Sequence, residues 1–315
     1  MGDSTISQTA AERPATPAAP DLAVFLVTDA WEDRDGRQIL RFHGRSDAAA
    51  GHRPVEILID NFRPVFFVQR SAKLPDQGLP AYERNPVELK NFLNEPVDAL
   101  YFRGEHDLRR AREFLPKLGI RTFESDVHPC ERYRMERFLS GAVQVSHPDI
   151  AKLLSPSPAT GAGGTSPPLK VEPLRLRNPR VRPASTEGSD VDLVVASIDI
   201  ETGVASGQLY SVAVHTCGGG RPEDRRVFIL ESDGATRIRN FQSEAGDDFQ
   251  YIPCASERDL LERFCATITG ELDPDVLIGW NVIGFDLKFL VAKAAEIGVA
   301  FRLGRNGRVA NVRER

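Results

Sequence analysis

With 315 residues, 41% of them hydrophobic, the chain has room for two ordinary domains with packed cores. A formal net charge of −5 excludes an overall basic field, so any contact with nucleic acid has to come from local patches. The four cysteines form no CxxC or Cys/His pattern with zinc-ligand spacing and are too few for a disulfide scaffold, and none of the six histidines falls at metal spacing. No apolar run approaches the roughly 18 residues of a membrane span, and the start lacks a secretory signal, which predicts a soluble, cytoplasmic protein with no membrane partner.

Residues 1–21, rich in Ala, Pro, Ser and Thr, are expected to be a disordered tail. Folded sequence begins at Leu22 with an apolar run to Thr28, a polar Asp33-Arg34-Asp35-Gly36 turn and a second strand over Gln38 to His43, together a hairpin. Val55 to Ile59 and Val65 to Gln69 add strands, and Asn61-Phe62-Arg63-Pro64 between them suggests one small mixed sheet. Phe66 and Phe67 point to opposite faces of such a strand, so they are read as core rather than as one pocket. Asn85-Pro86 predicts a helix start with Leu89, Phe92 and Leu93 on one face; Leu108, Ala111, Leu115 and Leu118 mark a second helix, which Pro116 kinks or shortens. The Arg109, Arg110 and Arg112 cluster on it reads first as a solvated face. Residues 22–145 thus form an α+β N-terminal domain.

From 146 to 190 the composition turns to Pro, Ser, Gly, Thr and Arg, a linker with a flexible centre over Ser155 to Pro168. Lys170 to Arg182 alternates apolar and basic residues, as an edge strand introducing the next domain would. That domain, 191–315, opens on the nearly continuous apolar run Leu193 to Ile198, the pattern of a strand buried on both faces. Strands over Gln208 to Val214 and Arg226 to Leu230 follow, joined through a Gly218-Gly219-Gly220 hairpin turn. A helix capped by Ser256 carries Leu260, Leu261, Phe264, Cys265 and Ile268 on one face. A strand over Val276 to Gly279 and a helix from Phe285 to Ile297, stopped by Gly298, complete the order of a ribonuclease H-like α/β sheet.

Asp199 and Glu201 stand two residues apart at the end of the apolar strand, so alternation puts both carboxylates on one face while Ile198 and Ile200 turn to the core. Two acids fixed so close repel, and a divalent cation is the usual compensation. Alone, Asp-x-Glu is also what a strand end reaching solvent looks like, and Asp286 alone is also a helix-start acid favoured by the macrodipole. Their ordered combination, Asp-x-Glu and then Asn281-x-x-x-Phe285-Asp286 after the next strand, favours chemistry over either bland reading.

Asp199-Ile200-Glu201-Thr202 and Asn281 to Asp286 resemble the first two exonuclease motifs of family B DNA polymerases, and the resemblance is strongest to the bacterial polymerase II type. Supporting segments are Glu131-Arg132-Tyr133, Met135-Glu136-Arg137-Phe138, Asp273-Pro274-Asp275-Val276, Ile278-Gly279-Trp280-Asn281 and Arg302 to Arg305. The resemblance implies a proofreading 3′→5′ exonuclease domain in which Asp199, Glu201 and Asp286 bind two Mg²⁺ or Mn²⁺ ions and hydrolyse a phosphodiester at the 3′ end of single-stranded primer DNA. It further implies DNA contacts from Thr202, Asn281 and Phe285, although Phe285 also fits as an anchor of its helix. The expected setting is the bacterial nucleoid, with the rest of a polymerase or a sliding clamp as partners. The family's third motif, Tyr-x-x-x-Asp, and its palm carboxylates are not in this sequence. The expectation is therefore an incomplete exonuclease domain, from a fragment or a truncated gene, that is inactive alone. Two other readings stay open: a self-standing ribonuclease H-like exonuclease, whose fourth acid only Glu296 or Glu314 could supply, and a DNA-binding module without chemistry.

Overall fold

In the computed structural model, residues 21–34, 37–155, 172–184, 190–231 and 249–312 are described. The predicted first hairpin forms from strands β1 (Asp21–Arg34) and β2 (Arg37–Ser46), antiparallel with a register shift between Leu26 and Thr28. Leu22, Val24 and Leu26 turn inward by strand alternation, whereas Phe25 is exposed. With β3 (Pro54–Phe62), β8 (Ala142–Ser146), β9 (Leu174–Arg177) and β10 (Arg180–Pro183) they make a six-stranded sheet of order β10-β8-β1-β2-β3-β9. Helices α2 (Pro129–Met135) and α3 (Ile150–Leu154) cover its core through Cys130, Tyr133 and Ile150. The stretch expected to introduce the next domain instead returns to this first sheet: β9 runs parallel to β3, and β10 lies antiparallel to β8. Leu174 and Leu176 are buried while Arg175 and Arg177 face out, so the apolar and basic alternation was a true edge-strand signal assigned to the wrong sheet. Nearly all of the predicted tail and of the flexible linker centre lies outside the described residues.

A separate four-stranded sheet has the order β5-β6-β4-β7, formed by β4 (Val65–Gln69), β5 (Tyr82–Lys90), β6 (Pro96–Phe102) and β7 (Thr122–Phe123). Helix α1 (Glu105–Phe114) packs Leu108 and Ala111 on it, and a 3₁₀ turn over Leu115–Leu118 absorbs Pro116 as the sequence requires. Strands β3 and β4 thus belong to different sheets, and the predicted single mixed sheet is two. The helix predicted at Asn85-Pro86 is wrong. Those residues sit in β5, an edge strand where a proline without N–H is tolerated, and Asn91 folds the chain back by accepting from the N–H groups of Leu93 and Glu95. Leu89, Phe92 and Leu93 consequently remain exposed. Phe66 is fully buried as expected, and Phe67 instead receives the Arg132 guanidinium 5.4 Å from its ring centroid. Arg109 and Arg110 are exposed, and Arg112 donates to the Ser125 carbonyl.

The third sheet has the order β14-β13-β12-β11-β15 and comprises β11 (Val195–Thr202), β12 (Leu209–Gly218), β13 (Arg221–Leu230), β14 (Gln250–Cys254) and β15 (Val276–Ile278). Strands β11 to β13 form the predicted meander. Its second turn needs positive φ at Gly219 (67°) and Gly220 (63°), which glycine adopts without a Cβ penalty. Strand β14, parallel to β13, was not predicted. Helix α4 (Glu257–Thr267) starts where the Ser256 hydroxyl accepts from the Asp259 N–H, and helix α5 (Asp286–Ile297) ends at Gly298, φ 71°. Phe228, Phe264 and Phe301 interlock between sheet and helices, each burial contributing about 1.5–3 kcal/mol.

Polar groups join this sheet to the first one. Arg45 of β2 donates to the Asp273 and His52 carbonyls and pairs with the fully buried carboxylate of Asp275, which also accepts from the Val194 N–H and from Arg305. The acid strand β11 is thereby anchored at its start.

Candidate active site at the ends of β11 and β15

Strand β11 lies inside its sheet, antiparallel to β12 and parallel to β15, with Ser197 opposite Ile278. Strand β15 ends opposite Ser197, and β11 runs on to Thr202. Beyond that point β11 carries Asp199 and Glu201, while the chain leaving β15 passes through Gly279 to Phe285 into α5. Ligands of open sheets with parallel pairs gather at such carboxyl ends. Alternation holds as expected: Ala196, Ile198 and Ile200 are buried, and Asp199 and Glu201 are exposed on the other face. A register shift between Glu201 and Thr202, opposite Ser211 and Leu209, re-aims the strand just past the second acid.

Helix α5 brings the third carboxylate to the same place. Asp286 is its first residue and only 2% exposed. Burial raises its pKa above the ordinary aspartate value and the charge of Asp199 pushes the same way, while backbone hydrogen bonds from Asp286 itself and from Ile200 oppose the rise. Electrostatic coupling to Asp199 and a hydrogen bond to the residue between the two strand acids locate Asp286 against the acid end of β11. Gly279 permits the approach, since a Cβ there would lie 2.5 Å from the Ile198 carbonyl oxygen.

The three acids are not drawn into a tight cluster. Among the described residues, the trio whose ligand atoms all lie within 4.8 Å of one another is Asp29, His128 and Cys130, in the first sheet. The sequence assigned no metal role to histidine or cysteine; Asp29 stands about a hundred positions from the other two, and no local spacing could reveal it. Glu296, weighed as a fourth acid, pairs with Lys293 at 3.0 Å on α5, and Glu314 lies outside the described residues.

Around the acids, Thr202 is half-buried, and Asn281 is exposed with φ 52°. The Asn281 carbonyl accepts from the Phe285 N–H, and its side-chain oxygen lies over Gly284, where a Cβ would meet it at 2.4 Å. Phe285 is 47% exposed and its ring leans on Phe289 at 6.3 Å, so it anchors the start of α5 and still presents a face to solvent. Sequence reasoning gave no site role to Trp280 or Ile283, which are 94% and 66% exposed in the same connection. Their signal was available as large apolar side chains in a loop between strand and helix.

Residues 120–315 match the family described as DNA polymerase family B, exonuclease domain. The chain is 30% identical over 298 residues to DNA polymerase II of Escherichia coli (strain K12), which covers 93% of this chain and 32% of that protein. It is 39% identical over 120 residues to a DNA polymerase of Thermococcus sp. (strain 9oN-7), covering 38% of this chain and 14% of the relative. The fold resembles the family B DNA polymerase of the hyperthermophilic archaeon Pyrobaculum calidifontis, with a TM-score of 0.62 at 21% identity, over 92% of this chain and 34% of that one. The chain thus spans about a third of the bacterial relative's length.

Proposed function

Because the chain belongs to the family B DNA polymerases through its exonuclease domain, we propose that it carries the N-terminal region and a three-carboxylate portion of a proofreading 3′→5′ exonuclease, in a ribonuclease H-like sheet. One observation carries this reading: Asp286, from α5, is buried against the same strand end that displays Asp199 and Glu201, and it feels the charge of Asp199. A buried carboxyl group beside another acid is a donor set that gains from a divalent cation, so the residues fit a metal site. Asp199 would help to hold both of two Mg²⁺ or Mn²⁺ ions, with Glu201 contributing to one and Asp286 to the other. Bound there, the cations supply charge neutralisation and a more acidic water.

The remaining tasks fall to the chain's own side chains. Glu201, exposed beside Asp199, orients the attacking water. Thr202 and Phe285 rest against the terminal nucleotides of a single strand, Phe285 with the face it leaves to solvent, and Asn281 contacts the 3′ end. The substrate is the 3′ end of a DNA primer, in the cytoplasm at the nucleoid, and further polymerase elements or a sliding clamp are the partners. With three acids and no Tyr-x-x-x-Asp in its sequence, the 315-residue polypeptide hydrolyses DNA poorly or not at all by itself.

Two measurements test this. Calorimetric titration with Mn²⁺ should show binding that Asp199→Ala and Asp286→Asn each weaken; an unchanged isotherm would remove these acids from the site. Incubation with a labelled single strand and Mg²⁺ or Mn²⁺ should leave it intact, and robust shortening that disappears in Asp199→Ala would overturn the claim of inactivity. Filter binding across a salt series addresses the non-catalytic reading, which requires salt-dependent affinity for single strands.

A further inference from the structure

Strand β1, past its register shift, carries Asp29 to the start of α2, where His128 caps the helix and Cys130 is its second residue. A carboxylate oxygen of Asp29, a ring nitrogen of His128 and the Cys130 sulfur all lie within 4.8 Å of one another. The three are graded from inside to outside. Cys130 is fully buried and its thiol donates to the Ala30 carbonyl at 3.3 Å; the Asp29 side chain is 24% exposed; His128 is exposed. A nucleophilic Cys-His-Asp arrangement is not what this builds, since burial and the Asp29 charge both push the Cys130 thiol far above its ordinary pKa.

The His128 ring defines which nitrogen is available. Trp31 Nε1 donates to His128 Nε2 at 2.7 Å, so in the neutral ring Nε2 carries the lone pair and Nδ1 the proton. A metal that took this lone pair would compete with the Trp31 N–H for it. Arg134 stands 3.9 Å from the Asp29 carboxylate, at the outer limit of an ion pair. Tetrahedral zinc with bonds of about 2.0–2.3 Å separates its donors by roughly 3.3–3.8 Å, which small side-chain rotations reach from here.

We propose that Asp29, His128 and Cys130 form a Zn²⁺ site that fastens α2 to β1, the ion displacing the Cys130 thiol proton to solvent, with a fourth position open to water on the His128 side. A mixed sulfur, nitrogen and oxygen donor set suits zinc and not the magnesium expected of an all-carboxylate site. The site lies on a different sheet from Asp199, Glu201 and Asp286 and is independent of the exonuclease reading. Its structural role is to hold α2, a helix of only seven residues, whose Tyr133 packs in the first core.

The test uses the full chain in excess Mg²⁺ and titrates Co²⁺, then Zn²⁺. One equivalent of Co²⁺ should produce the near-ultraviolet sulfur-to-cobalt band, which no all-oxygen site gives, and Zn²⁺ should displace it. Cys130→Ser should remove the band. Because Cys130 is buried, the second variant is His128→Ala at an exposed position, which should weaken Zn²⁺ at least about tenfold with an unchanged far-ultraviolet spectrum. Trp31→Phe, lacking the competing N–H, should tighten binding. The absence of a cobalt band in the wild type, equal Zn²⁺ affinity in His128→Ala, or weaker binding in Trp31→Phe would overturn the site as drawn.

Discussion

Asp275 and Arg305, thirty positions apart, meet at 2.7 Å, and the other oxygen of the Asp275 carboxylate pairs with Arg45 of the first sheet. The Asp275 side chain is fully buried and that of Arg45 is 4% exposed, so removing the acid would leave a buried guanidinium with only backbone carbonyls and the Asp273 carboxylate at 3.6 Å. Asp275→Ala is expected to destabilise the chain by about 3–5 kcal/mol in urea denaturation. Asp273→Ala, at a more exposed partner that also offers its carbonyl, should cost less. Equal and small effects would show that the two sheets are held by other contacts.

Asp286 has a pKa raised by burial and by Asp199. A carboxyl raised in the folded state favours folding at low pH, and that advantage is lost as pH rises from the unfolded value of 3.8 through the folded one. At neutral pH and without metal, Asp286→Asn should therefore raise the melting temperature while lowering Mn²⁺ affinity. Wild type should gain more stability from added Mn²⁺ than the variant does. A variant less stable than wild type at pH 7 in chelator would contradict this account.

His43 on β2 is buried, and its pKa is lowered chiefly by that burial. Below its ordinary value of 6.5 the unfolded chain takes up a proton that the folded one resists, so stability is lost as pH falls from 6.5 through the folded pKa. Unfolding free energies measured between pH 7.5 and 5.5 should fall, by at most about 1.4 kcal/mol per pH unit from this group. The slope should be shallower in His43→Asn.

Gly279 lies where β15 passes the acid strand. A methyl group there would meet the Ile198 carbonyl at 2.5 Å and the Val282 Cβ at 3.1 Å, so backbone has to shift. Gly279→Ala should destabilise by about 1–3 kcal/mol and weaken Mn²⁺ binding, because the carbonyl it displaces adjoins Asp199. Full retention of both would mean that β11 and β15 separate freely at their ends.

Much of the third sheet was legible because its signals are local. Alternation of Ile198 and Ile200 with Asp199 and Glu201, the Ser256 cap and the Gly298 stop each depend on neighbours within a few residues, and the fold has them as read. The apolar spacing of Leu89, Phe92 and Leu93 misled, because helix and hairpin patterns overlap in short runs and the turn from Asn91 to Glu95 decides between them. Which sheet the strand at Leu174 joins could not be read, since an edge strand looks the same whichever sheet it completes.

By itself, then, the sequence determined the identity and order of the three acids, the face that Asp199 and Glu201 share, and the start and end of the helix behind Asp286. These follow from side-chain type and from periods of two and 3.6. Only the tertiary structure decided that Asp286 is buried and couples to Asp199, that Arg45 reaches Asp275 across two sheets, and that Asp29 joins His128 and Cys130. Contacts of that kind join residues tens to hundreds of positions apart. They form only when the sheets pack, and no local pattern encodes them.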